Sequence, residues 1–384
     1  MTILECLENE VFFLPKSVGK QGIKKYLETV FQNYQDIIEQ ITDDTLSREL
    51  KAQKDNISIL CDNFITSWSH YQKGHVEAAY TDFKKAMTVL KPFLFPEHQG
   101  RVANIIDLHK PMFRARIGSN KPYSKSEMFH LPFSQREFAN TQRFSIPGLP
   151  CLYLSNSIYV CWEELNRPLL NSFQVSRFQQ DDFNLKILDI SQTPIQMKWH
   201  CKLFIENNIR GKYDYDYLAF WFLLVWPLSL VCSLSVTNED VPFKQEYVFP
   251  QFLLQWVTYE NDVDGIKYYS IKANPYNKED FSKFTNYVFP PKQMDHGDYC
   301  NHLKKSFKLT DPISPEILNI TDPSLTFINK EWIEKVKHKV MIENIRLELI
   351  KGYPMPYTHT LFGKMEVFMQ NLDAEFLIDN DLEV

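Results

Sequence analysis

The sequence predicts an α+β protein, a helical bundle followed by a β-sheet with flanking helices, and three observations predict it. Between about residues 18 and 92, apolar residues recur at steps of three and four, the period of a helix with one buried face. Between about residues 110 and 290, apolar runs of strand length alternate with turn residues and short helical stretches. Apolar residues make up 44% and aromatics 14% of 384 positions, enough for a large core in two or three domains. The expected division is a helical region over 1–100, a central domain over 101–300 and a C-terminal extension over 301–384.

The helical stripes are explicit. Ile23, Tyr26, Leu27, Val30, Phe31, Tyr34, Ile37, Ile38 and Ile41 form the first, and Ile57, Leu60, Phe64, Ile65 and Trp68 the second. Val76, Ala79, Tyr80, Phe83, Ala86, Met87 and Leu90 form a third after Gly74. The phrase G-H-V-E-A-A-Y-T-D-F-K-K-A-M resembles one tetratricopeptide-like helix pair, with no second copy at that period and hence no solenoid. Pro92 and Pro96 mark the boundary. Next, Phe113 to Ile117 alternates apolar and basic residues, which suits a strand with Arg114 and Arg116 on one face. His130, within M-F-H-L-P-F, reads as a core histidine, with a catalytic role as its alternative.

The stretch from Gln142 to Leu165 organises the rest. Pro147-Gly148-Leu149-Pro150 is a turn, Cys151 to Leu154 a buried strand, and Ser155-Asn156-Ser157 a set of cap residues. Ile158, Cys161, Trp162 and Leu165 then fall at helical spacing. Glu163 and Glu164 lie on opposite flanks of that apolar face, so helical geometry does not choose between them. Phe183 to Ile190 is read as a strand and a helix follows. The uncharged run from Tyr217 to Val236 is read as a buried helix to about Trp226, a break at Pro227 and a core strand. Its flanks carry Asp214, Asp216, Glu239 and Asp240 without the Lys/Arg bias of a membrane span. Pro250 to Val257 reads as a short helix, and Asp264 to Ser270 as turn and strand. Asn286 to Pro290 reads as a strand.

These phrases resemble the RES domain, a family named for Arg, Glu and Ser residues. Arg143, Phe144, Gly148, Pro150, Tyr153 and Ser157 match its pattern, with Glu164 at the family's spacing after Tyr153. Thr141-Gln142 stands where the family has Gly-Gly. Asp264-Gly265-Ile266 followed by Tyr268 and Ser270 matches a second phrase. The resemblance spans about residues 110–290 and implies an ADP-ribosyltransferase-like split sheet and an enzyme that breaks down NAD⁺. It implies that Arg143, with Arg114 or Arg116, holds the pyrophosphate and that Tyr153 stacks on nicotinamide or ribose. Glu164 would stabilise the oxocarbenium-like cation, and Ser157 and Ser270 would bind the nucleotide. NAD⁺ is then a substrate and no cofactor is expected.

The resemblance implies a glycohydrolase or phosphorylase, a toxin or defence effector with an inhibitory protein partner. The alternatives are an ADP-ribosyltransferase acting on a macromolecule and a non-catalytic RES-like interaction module. The net charge of −6 argues against nucleic acid as main partner. Seven scattered cysteines without a C-x-x-C suit reduced thiols in the cytoplasm, and the acidic start M-T-I-L-E-C-L-E-N-E is unlike a signal peptide. Asp295, His296, Asp298, Cys300 and His302 follow no zinc spacing, so no metal site is expected. Phosphate loops of the G-x-x-x-x-G-K-[ST] and G-x-G-x-x-G types are absent from the sequence, as are H-E-x-x-H and G-x-S-x-G.

Overall fold

The structure, a computed structural model, describes residues 1–94, 110–118, 122–181, 185–207, 215–238, 240–277, 280, 283–292, 297–321 and 345–377. The chain forms two compact units, interleaved in sequence. One comprises Met1–Arg101, Gln142–Ser145 and Leu188–Trp256, the other Val102–Thr141, Ile146–Ile187 and Val257–Val384. The sequence reading divided the chain as 1–100, 101–300 and 301–384. Asp295, His296, residues 332–344 and the acidic tail after Leu377 lie outside the described residues.

In the helical unit the stripes become the helices Ile23–Glu39, Asp44–Ala52, Lys54–Gln72 and Val76–Leu94. Leu27, Phe31, Tyr34, Leu60, Phe64, Phe83 and Met87 are all buried. Gly74, at φ 79°, makes the turn between the last two helices, where a side chain would be strained. The uncharged run differs from expectation. A single helix, Tyr215–Cys232, passes through Pro227, and residues 233–236 form no strand. Proline has no N–H to offer the carbonyl four residues back, which is Leu223. The Tyr34 hydroxyl donates to that carbonyl at 2.8 Å, both groups buried, and so supplies the missing partner. Just past the helix end, Ser233 Oγ donates to Ser229 O at 2.6 Å, four residues back. This helix is apolar on every side, which explains why residues 188–256 join the helical unit. Among the described residues, no helix is long and apolar enough to cross a membrane.

The second unit is built on an eight-stranded sheet ordered β10-β7-β3-β1-β2-β6-β5-β4. Its strands are β1 (Met112–Ile117), β2 (Leu152–Ser155), β3 (Phe173–Gln180), β4 (Ile187–Asp189) and β5 (Gly265–Tyr269). β6 (Thr285–Phe289), β7 (Phe307–Leu309) and β10 (Glu375–Phe376) complete it, and β8 (Arg346–Ile350) pairs with β9 (Tyr353–Pro356) as a separate hairpin. β1 aligns with β3 over six residue pairs and β2 with β6 over four, all antiparallel. β1 and β2 share one pair, Phe113 with Ser155. The pairing is thus short along the β1–β2 seam.

Two cores cover the sheet. Phe113, Ala115, Val175, Ile158, Tyr159, Phe284, Phe362 and Met365 pack on one face. Met112, Leu152, Leu154, Phe178, Tyr287, Phe289 and Phe307 pack on the other. β6 is buried at all five positions, as a strand covered on both faces must be. β3 had no counterpart in the sequence reading, which placed a strand at 183–190, where only Ile187–Asp189 is observed among the described residues. The described part of the segment 301–377 belongs to the sheet unit. It supplies β7 and β10 and the helix Leu361–Met369, whose Phe362, Met365 and Met369 enter the first core. Arg177 on β3 donates Nε to Met369 O at 2.9 Å and Nη2 to Leu372 O at 2.7 Å, which satisfies carbonyls at that helix's C-terminal end.

Candidate active site

The site is built by the strand–cap–helix unit that starts at β2. Leaving β2, Asn156 fixes the chain against the start of β6: Nδ2 donates to Lys283 O at 2.6 Å and Oδ1 accepts from Thr285 N at 3.0 Å. Ser157 is buried, and its hydroxyl caps the helix Ile158–Glu164 by accepting from Val160 N at 3.1 Å. The helix ends at Glu164. Asn166 and Arg167 then turn the chain with φ of 59° and 56°, a left-handed pair that costs energy for a residue such as Arg.

This turn gives the two glutamates different partners. Arg167 folds back onto Glu163, Nε and Nη2 at 2.9 and 3.0 Å from its two oxygens, while its guanidinium lies 5.4 Å from the Trp162 ring centre. Glu163 is buried and held in that fork. Glu164 faces the sheet instead. Its Oε1 accepts from Ser270 Oγ at 2.6 Å and from Asn286 Nδ2 at 2.7 Å. Ser270 can donate because its oxygen already accepts from Ala273 N at 3.3 Å. Asn286 is oriented in turn by Ser155 Oγ, which donates to Asn286 Oδ1 at 2.6 Å. Lys272 donates to Glu164 O at 3.1 Å and to Asn166 Oδ1 at 3.0 Å, with Nζ 4.0 Å from Glu164 Oε2. The Glu164 side chain is 33% exposed, and the Lys272 ammonium stands 4.0 Å from its Oε2.

The arginines of β1 lie across the seam. Register puts Phe113 and Ala115 on the face that carries Ser155 and Asn286, and Arg114 and Arg116 on the opposite face. Arg114 reaches sideways, Nη1 donating to Tyr153 O of β2 at 3.2 Å, while Arg116 Nη2 donates to Phe129 O at 3.1 Å. The Nε atoms of both are buried without a hydrogen-bond partner among the described residues, as is Ser176 Oγ on the same face. Burial, and then the neighbouring Arg116 charge, push Arg114 down to about 9, and burial also lowers Arg116. Two desolvated guanidiniums side by side are what an anion would stabilise. Burial raises the Tyr153 phenol well above its ordinary value, so Tyr153 is a neutral ring at any physiological pH.

Of the residues read from the sequence, the sheet unit holds Arg114, Arg116, Tyr153, Ser157, Glu164 and Ser270, and Glu164 and Ser270 are in direct contact. Arg143 belongs to the helical unit, where its Nη1 donates to Cys232 O at 3.3 Å and its guanidinium lies 5.0 Å from the Tyr247 ring centre. His130 is a satisfied core residue: Nε2 accepts from Cys300 N at 3.0 Å and Nδ1 bonds Leu131 O at 2.7 Å. Burial lowers it to about 4, which keeps it neutral. No group of three or more potential ligands suits a metal ion among the described residues. Asn286 and Lys272 are the site residues the sequence reading missed. The signal for Asn286 was an amide inside an otherwise apolar strand, T-N-Y-V-F, which requires a buried polar partner.

No family model matches the chain, and no solved structure matches it. A protein of Bacillus subtilis (strain 168) named "Putative toxin YopC" is 33% identical over 347 residues, which cover 87% of this chain and 77% of that protein. The aligned region takes in both compact units for the most part, and the chain belongs to the family of YopC.

Proposed function

We propose that this protein is an NAD⁺-degrading toxin, a glycohydrolase or phosphorylase that cleaves the nicotinamide–ribose bond. The observation that carries the reading is the Glu164 carboxylate. It is held on one oxygen by Ser270 and Asn286, is partly exposed with Lys272 4.0 Å from the other oxygen, and lies beside a seam edged by Tyr153 and by the Arg114 guanidinium. The RES-like phrases supply Tyr153, Glu164 and Ser270, and the relative's name supplies the toxin role.

Nicotinamide leaves as a neutral base from a cationic linkage, so no general acid is required. What the reaction needs is negative charge beside the ribose carbon as it becomes oxocarbenium-like. Glu164 Oε2 provides it, with Oε1 fixed so that the carboxylate need not reorganise. Tyr153 offers an apolar ring for nicotinamide or ribose. The nicotinamide ribose lies toward Glu164, on the sheet face that carries Ser155 and Asn286. The acceptor, water or phosphate, enters on the Oε2 side.

The test is NAD⁺ concentration over time with purified protein, with and without phosphate, beside Glu164→Gln. Gln keeps the shape and removes the charge, and should lower the rate on the order of 10²-fold or more. Phosphate dependence identifies a phosphorylase. Full turnover by Glu164→Gln would remove Glu164 from the chemistry, and no NAD⁺ loss by the wild type would overturn the enzyme reading.

A further inference from the structure

Glu366 lies outside the RES-like span, is 1% exposed, and plays no part in the chemistry just described. Its Oε1 accepts from the backbone N–H of Ile158 at 2.8 Å and from the Tyr357 hydroxyl. Ile158 is the first residue of the seven-residue helix that ends at Glu164. A helix so short has little stability of its own, and its direction is set by what holds its ends. At its start, the local Ser157 closes one open N–H and Glu366, 208 positions downstream, closes another. From the second residue, the Tyr159 hydroxyl accepts from Asn274 N at 3.1 Å, tying the helix to the segment after Ser270. The helix bearing Glu366 is itself anchored at its far end by Arg177.

We propose that Glu366 and Tyr357 are positioning residues: they set the N-terminal end of the Glu164 helix and thereby aim the Glu164 carboxylate at Ser270 and Asn286. The C-terminal segment 345–377 is then a working part of the active site. For its activity readout this inference rests on the proposed NAD⁺ chemistry; its structural readout does not. Burial raises the Glu366 carboxyl to about 8, so its neutral form prevails near pH 7 and glutamine is a close replacement that still accepts both bonds.

The experiment compares full-length wild type, Glu366→Gln, Glu366→Leu and Tyr357→Phe. It reads kcat and KM for NAD⁺, and amide hydrogen exchange in the peptide covering residues 157–165. Glu366→Gln should keep kcat within about threefold. Glu366→Leu should lose kcat about tenfold or more with KM little changed, because a small misplacement of a catalytic group is costly. Exchange should rise in the 157–165 peptide and stay unchanged in β3. Glu366→Leu with wild-type kcat and wild-type protection would overturn the proposal. Should Glu366→Leu not fold, Tyr357→Phe, which deletes one hydroxyl, must move both readouts in the same direction, and no movement in either overturns it. Where the wild type consumes no NAD⁺, the chemistry falls and exchange alone decides: increased exchange confined to the Glu164 helix supports positioning, and unchanged exchange refutes it.

Discussion

Burial of Glu366 makes the stability of the sheet unit depend on pH in a direction opposite to that of an ordinary salt-bridged carboxylate. Its carboxyl is raised from 4.5 to about 8, first by desolvation and against the lowering effect of its bonds from Tyr357 and Ile158 N. The folded chain therefore keeps a proton that the unfolded chain has released once the pH passes about 4.5. Over that window the native state binds one proton more, so stability falls as pH rises, by up to about 1.4 kcal/mol per unit. The fall is complete near pH 8 and amounts to a ceiling of about 5 kcal/mol, a large share of the roughly 5–15 kcal/mol that stabilises a typical fold. Among the described residues, the titratable groups facing Glu366 do not blur the window. Tyr357, on its own segment, is pushed well above 10, and Cys161, on the Glu164 helix, is pushed up to about 12, both chiefly by burial. Urea midpoints for wild type and Glu366→Gln across pH 5 to 9 test this. The wild-type midpoint should fall more steeply than the variant's between pH 5 and 8, and the difference should level off above 8. Parallel curves would refute the argument, since they would mean that Glu366 titrates alike in the folded and unfolded chains.

Further outcomes follow from other contacts. Tyr34→Phe should cost about 1–3 kcal/mol by urea denaturation, because it strands the Leu223 carbonyl that Pro227 cannot serve; in a Pro227→Ala background the same change should cost measurably less. Glu163→Gln should leave NAD⁺ turnover within a few-fold of wild type, since Glu163 is engaged by Arg167, whereas Glu164→Gln should not. Pyrophosphate should raise the melting temperature of the wild type, with about 2.7 kcal/mol of stabilisation at a concentration a hundred times its dissociation constant. Arg114→Gln should abolish that rise, and a rise of equal size in the variant would show that the anion binds elsewhere.

The parts of the fold legible in the sequence are those with a single buried face. The stripes at Ile23 to Ile41 and Val76 to Leu90 announce helices because polar residues fill the remaining positions. β3 escaped because both its faces are covered, so Phe173, Val175 and Arg177 on one side and Ser176 and Phe178 on the other erase the alternation. The helix through Pro227 escaped for a different reason: what makes proline tolerable there is Tyr34, nearly two hundred residues earlier, and local pattern carries no trace of it. The site divides along the same line. Glu164 and Ser270 were legible because their phrases resemble a family. The preference for Glu164 over Glu163 acquires a physical basis only from Arg167 and Asn286, which give the two neighbours separate partners. Glu366 was invisible because a buried polar group declares itself through its partners, and Ile158, whose N–H it accepts, lies 208 positions away. In this protein sequence pattern marks the group with the chemistry, while its orientation is written in long-range hydrogen bonds.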